Sequence, residues 1–413
     1  MIVLVSVLIA VIAAVITALS LYLPKRKGKL PAGPKVERKI SILMLGQNLS
    51  GKTVLLASMW RELNNTGNSG IRLRADTEED RLALLALCEQ IEDPESLLPP
   101  STTLGETKEW KFTVQARDKA GRTQNAFKIS YLDYPGEFVD NLAHGTATHH
   151  RFDHAFHNVD AILGVIDGQK VARLMRGRPD PGFAVTLSRL CNVLLERDVK
   201  TLHIVITKWD LMAGRYSLEK VVERLKENAP FRSLMETPRL GGVRVIPISA
   251  FGLDDYAYED ASGAMVKNPG KEWYPAYVAA PLACVIPDVL ATDVEELRYA
   301  RKDRERNPRV SAGQVSRVFF WVTLVFGLAV VPANSIVSAV PSALKEIILK
   351  VSLDKVLDRF AKIVQRPGNQ SVPSTIDENS ALLRVFVYFG NVVTNLEHEI
   401  PAAQLVHGGE MGR

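Results

Sequence analysis

Apolar and polar positions alternate along this chain in three distinct ways. Residues 2–23 form an unbroken apolar run without a charge, long enough as a helix to span about 33 Å. Short runs rich in β-branched residues follow at 39–45, 161–166, 203–206 and 243–248, separated by helical patterns at about 52–63, 182–196 and 217–227. Such runs predict parallel strands in a sheet covered on both faces. Period-two alternation at 110–114 and 127–132, around a turn at 119–122, predicts an antiparallel hairpin. A helix from about Thr77 to Ile91, capped by Asp76, reads as an insertion ahead of that hairpin. A helix around 273–290 would close an α/β, doubly wound, mainly parallel domain over 39–290.

The ends of the chain follow other rules. A basic cluster, Lys25, Arg26, Lys27 and Lys29, succeeds the first apolar run, which lacks the positive leader of a cleaved signal peptide. The positive-inside rule then places 1–23 as a transmembrane anchor and the domain in the cytoplasm, joined by a Pro- and Gly-containing linker, 24–38. Residues 291–316 read as a charged linker and 317–413 as a helical C-terminal region. Within that region 318–340 carries no ionisable residue and fits either a second span or, because Pro332, Asn334 and Ser335 interrupt it, a buried or interfacial helix. An amphipathic helix is expected at about 343–364, and a further apolar segment occupies 382–393.

Composition adds little to this picture. The net charge of +5 arises largely from the juxtamembrane cluster and from residues 301–309. No aromatic residues interleave with those basic runs, so nucleic acid is not an expected partner and anionic lipid is the nearer one. Three dispersed cysteines, Cys88, Cys191 and Cys284, point to a reducing compartment and no zinc or disulfide framework.

Chemistry concentrates where apolar runs end. Gly46-Gln-Asn-Leu-Ser-Gly51-Lys52-Thr53 follows a strand and opens a helix. This spacing turns backbone N–H groups onto a triphosphate, with Lys52 on the β/γ oxygens, Thr53 on Mg²⁺, and Asn48 and Ser50 within the loop. Asp133-Tyr-Pro-Gly136-Glu137 ends another strand and offers a carboxylate for Mg²⁺ and a glycine N–H for the γ-phosphate. Thr207-Lys208-Trp209-Asp210 follows a third strand; its carboxylate can accept from guanine N1–H and N2–H₂, a donor pair adenine lacks, while the Lys208 stem lies along the base. Ser249-Ala250, after the next strand, offers an N–H for guanine O6.

The order of these motifs resembles the translation-factor-related class of P-loop GTPases, especially Ras-like and Arf-like domains, over about 39–290. The Asp-Tyr-Pro-Gly-Glu form is similar to a bacterial branch of that class. The resemblance implies GTP/GDP and Mg²⁺ as ligands and Thr103 as the switch threonine closing on the metal, with Thr102 and Thr107 as competitors. It also sets Glu137 where Ras-like enzymes carry the glutamine that orients water, which implies slow unassisted hydrolysis. The expected function is therefore a membrane-anchored GTPase switch acting on a protein partner at the membrane surface. The rival is a non-hydrolysing receptor subunit, laid out like signal-recognition-particle receptor β subunits. An ATPase with a coincidental Thr-Lys-x-Asp is a third reading. Five histidines, His144, His149, His150, His154 and His157, follow the second switch and read as a polar switch helix; His150/His154 and Asp153/His157 at i,i+4 also have a spacing that can bind a metal.

Overall fold

In the computed structural model, residues 39–65, 70–99, 108–117, 122–133, 159–196, 201–238, 242–286, 288–289 and 372–406 are described. Except for Val372 and Pro373 they belong to one compact unit. The two apolar stretches, 2–23 and 318–340, lie outside these residues, as do the expected helix at 343–364, Thr103, Gly136, Glu137 and the histidine cluster. Among the described residues no helix is long and apolar enough to cross a membrane, and no group of three His, Cys, Asp or Glu side chains could hold a metal ion.

The core is a seven-stranded sheet in the order β2-β3-β4-β1-β5-β6-β7. Its central strands, β1 (Lys39–Gly46), β5 (Ala161–Ile166), β6 (Leu202–Ile206) and β7 (Val243–Pro247), pair in parallel, and β1 also pairs in parallel with β4 (Thr123–Asp133). Every residue of β5, β6 and β7 is buried, as continuous apolar runs covered on both faces must be. The expected hairpin is present as β3 (Lys108–Arg117) against β4. A strand that the sequence did not reveal, β2 (Ile71–Ala75), adds an antiparallel edge to β3, exposing Arg72 and Arg74 while burying Ile71, Leu73 and Ala75.

The helix after the glycine-rich loop, α1, runs Lys52–Asn65. The inserted helix α2 runs Glu78–Glu92, and its cap is Thr77 rather than Asp76. Thr77 Oγ1 accepts from Asp80 N–H at 3.1 Å, whereas Asp76 is taken up by the Thr113 hydroxyl across the hairpin. Two short helices, α3 (Gly168–Met175) and α6 (Ala229–Glu236), join the expected α4 (Phe183–Leu195) and α5 (Leu218–Leu225).

The expected helix at 273–290 is much shorter. Residues 251–279 hold a small hairpin, β8 (Ala257–Glu259) with β9 (Met265–Lys267), and helical geometry begins only at residue 280. The apolar segment 382–393 falls inside a long helix, α7 (Val372–Glu399). Val385, Phe389, Val393 and Leu396 on that helix are buried in the same core as the sheet, so this part of the C-terminal region packs into the sheet domain.

Candidate functional site

Parallel order places the carboxyl ends of β1, β4, β5, β6 and β7 along one edge, where open α/β sheets hold ligands. Gly46 ends β1 opposite Val165 of β5. Gly51, at φ 86°, supplies the left-handed turn that carries the chain into α1. Between them the loop is held by its own groups. Ser50 Oγ donates to Gln47 O at 2.7 Å, Leu49 N–H donates to the Asn48 side chain, and Lys52 Nζ donates to the carbonyls of Gly46 and Gln47, each at 3.0 Å. The ammonium is thus buried inside the curve of the loop at the start of α1, where an anion would also meet the helix N-terminus.

Thr207 acts on this loop from β6. Its hydroxyl lies within hydrogen-bond reach of Ser50 O (2.8 Å) and Ile166 O (3.2 Å), so it braces the phosphate loop rather than facing a base. Lys208 adopts a left-handed conformation, φ 49°, and its Nζ reaches Leu49 O at 3.2 Å, Gln169 Oε1 at 3.3 Å and Asp167 Oδ1 at 2.8 Å. The lysine stem therefore spans from the base motif across the phosphate loop.

Asp167, Gly168 and Gln169 were not singled out in the sequence, although they directly follow β5. Asp167 caps α3 through Gln169 N–H at 3.0 Å and holds Lys208. A Cβ on Gly168 would stand 1.7 Å from Thr207 O, so only glycine lets α3 approach the base motif this closely. The signal available was an Asp-Gly pair at the end of a buried strand. Gln47 is tied to the same helix, since Lys170 Nζ donates to its Oε1 at 3.0 Å.

The base motif presents one carboxylate. Asp210 Oδ1 accepts from the Ser249 hydroxyl, which is itself fixed by Gly252 N–H at 3.0 Å. Its Oδ2 is buried and has no hydrogen-bond partner among the described residues. Burial pushes this carboxyl up to about 6, against the opposing effects of Ser249 and Lys208. An orphaned buried acceptor of this kind calls for a donor from outside the protein, and guanine N1–H and N2–H₂ provide a pair. Ala250 is placed on the same loop, its carbonyl accepting from Ser58 Oγ and Trp273 Nε1 at 3.1 and 2.7 Å. Beyond Asp210 a cleft of about 520 Å³ continues between Arg173, Arg215 and the β8–β9 hairpin.

At the end of β4, Asp133 is buried and its Oδ1 has no hydrogen-bond partner among the described residues. Burial pushes this carboxyl up to about 6, with Lys52 pulling the other way. The donor set fits Mg²⁺: a hard carboxylate oxygen left unpaired beside the phosphate loop, with the Thr53 hydroxyl at the first turn of α1. The structure therefore brings Gly46, Asn48, Ser50, Gly51, Lys52, Thr53, Asp133, Thr207, Lys208, Asp210, Ser249 and Ala250 to one edge of the sheet.

The chain matches several solved structures at low identity and low TM-score. One is an Arl6 BBS3 small GTPase from Trypanosoma brucei with a bound nucleotide analogue (15% identity, 52% of this chain and 90% of that chain, TM-score 0.26). Another is the signal recognition particle receptor SRβ-GTP/SRX complex from Chaetomium thermophilum (17%, 52% and 91%, TM-score 0.29). A third is a GTP-binding protein from Sulfolobus solfataricus with GDP (20%, 51% and 47%, TM-score 0.26). No curated protein matches the chain in sequence. Residues 43–177, which include the phosphate loop, Asp133 and Gly168, match the family model double-GTPase 1, and the chain carries a GTP-binding P-loop GTPase domain.

Proposed function

We propose that this chain is a membrane-anchored GTPase that binds GTP, hydrolyses it to GDP, and acts as a nucleotide-dependent switch for a protein partner at the membrane surface. The observation that carries the guanine half of this reading is the buried Oδ2 of Asp210, which has no hydrogen-bond partner among the described residues and is held in place through Ser249.

Lys52 lies where it can exchange its two loop carbonyls for phosphate oxygens, a stronger, charge-assisted pairing. Thr207 and Lys208 keep the loop and the base motif in register, so that a nucleotide meets both ends of the site already formed. Asp133 and Thr53 would hold Mg²⁺. Bound there, the ion would supply neutralisation of charge on the β and γ phosphates.

The switch half rests on the sequence: Thr103 and Gly136 as the groups that meet the γ-phosphate, and Glu137 as the acceptor for the attacking water. Ionised Glu137 accepts but cannot donate, so the basal rate should be low and should rise when a partner brings a cation to the site. The anchor at 1–23 and the basic residues of 24–38 would keep the domain at the cytoplasmic face of a bilayer.

Single-turnover cleavage of labelled GTP by the full-length protein, with and without membranes and lysate, tests this. Slow cleavage that accelerates on addition is expected, and Glu137→Gln should raise or preserve the basal rate. Tight GTP binding with no cleavage under any condition would instead support a non-hydrolysing receptor subunit.

A further inference from the structure

The end of the chain is built into the nucleotide-binding domain through one buried guanidinium. Arg244, on β7, is fully buried. Its Nε donates to Asp288 Oδ2 at 2.7 Å, and its Nη1 donates to Glu397 Oε1 at 2.6 Å and to Ala403 O at 3.0 Å. Asp288 also faces His203 Nε2 at 3.4 Å; burial pushes that imidazole down to about 4, leaving it neutral. Around this cluster the contacts extend to the backbone. Val243 and Val406 exchange N–H···O bonds at 2.8 and 2.9 Å, and Tyr277 OH donates to Glu399 Oε2 at 2.7 Å.

The two carboxylates come from opposite sides of a long excursion. Asp288 stands just before residues 290–371, and Glu397 lies beyond them on α7. Both bond to the same buried guanidinium, which cross-links the two flanks of that stretch through β7. Both flanks of 290–371 are therefore fixed on one folded body. An open seven-stranded sheet whose edge strand exposes Arg72 and Arg74 does not sit in hydrocarbon, so such a body lies on one side of a bilayer.

We propose that the C-terminal segment 385–406 lies on the same side of any bilayer as the phosphate loop. The two flanks of 290–371 then share one compartment. The inference rests on the reading above only for the presence of a membrane, since the docking of 385–406 does not depend on nucleotide.

Sidedness of labelling tests it in the full-length chain. Cys88, Cys191 and Cys284 are buried, which keeps the background low. Gln404→Cys, in the C-terminal segment, and Lys220→Cys, on the domain, replace exposed residues as two separate variants. In sealed vesicles both should react with a membrane-impermeant maleimide from the same side, before and after permeabilisation alike. Reaction of the two from opposite sides would overturn the proposal. A specific protease site inserted between Gly368 and Asn369 gives a second measurement. After cleavage in detergent the piece beginning at Asn369 should co-elute with the domain, and its separation would equally overturn the proposal. Retained GTP binding is recorded on the same samples; its loss in the unmodified chain, with common sidedness intact, would overturn the nucleotide reading and leave the topology standing.

Discussion

The two ends of the nucleotide site are built on different scales. The phosphate end has a local frame within Gly46–Thr53, where Ser50, Asn48 and Lys52 satisfy carbonyls and N–H groups one to six residues away, and Thr207, Lys208 and Lys170 brace it from outside. The base end has no such autonomy. Asp210 depends on Ser249, 39 residues on, and the strand leading to Ser249 carries Arg244, whose partner Glu397 is 153 residues on. The phosphate loop thus carries much of its own frame, while the Asp210 carboxylate is held through a residue on a different strand connection. Thr207 and Gly168 are where the two ends meet.

The strongest way to break the contrast is at the remote support. Arg244→Leu leaves Asp288 and Glu397 buried without their cation, which should cost about 3–5 kcal/mol. In a domain of this size that lowers the melting temperature by roughly 10 °C, measurable by calorimetry. A smaller loss than in a surface control such as Arg232→Leu would show that the base end does not lean on the C-terminal segment.

Lys52→Ala attacks the local end. Losing a charge-assisted phosphate contact, worth about 1.5–3 kcal/mol, should weaken GTP at least roughly tenfold. The unliganded melting temperature should fall much less than in Arg244→Leu. Equal affinity for labelled GTP in this variant would remove the phosphate loop from the account.

Thr207→Val sharpens the comparison, because it cuts the brace between the ends while keeping shape. Loss of its hydroxyl contacts to Ser50 O and Ile166 O should cost about 1 kcal/mol in stability. GTP and GDP affinities should fall together by about fivefold, read by isothermal titration.

A change of pH acts on both ends of the site at once. Asp133 and Asp210 both titrate near 6 in the free domain because burial disfavours their charged forms, and both are needed ionised. Between pH 4 and 6 the folded state therefore holds more protons on these two groups than the unfolded one, and their contribution to stability falls as pH rises. Nucleotide affinity runs the opposite way and should weaken by about tenfold from pH 7 to pH 5 for each carboxylate that must be ionised. A flat affinity profile across that range would argue against either carboxylate contacting ligand.

The same division of scale explains what was legible in the sequence. Gly46–Thr53 could be read because all its determinants are contiguous, Asp133 because it ends a recognisable strand, and Asp210 because Thr-Lys-Trp-Asp directly follows one. Strand β2 escaped notice since Ile71-Arg-Leu-Arg-Ala has only three apolar positions beside a polar loop. The β8–β9 hairpin has strands of three residues each, too short to show a period. Arg244 within Val-Arg-Val-Ile-Pro reads as an outward charge on a strand, and only the remote carboxylates show that it points inward. Gly168 mattered for a close approach between backbones that no local pattern encodes.

Base selectivity of Asp210→Asn tests the central claim most directly. An amide offers one acceptor and one donor where the carboxylate offers two acceptors, and xanthine carries a carbonyl where guanine has its amino group. Competition of labelled nucleotide by GTP and XTP should show preference moving from GTP toward XTP, with ATP remaining a poor competitor for both proteins. An Asp210→Asn protein that still prefers GTP as strongly as the unmodified chain would contradict the assignment of the base pocket.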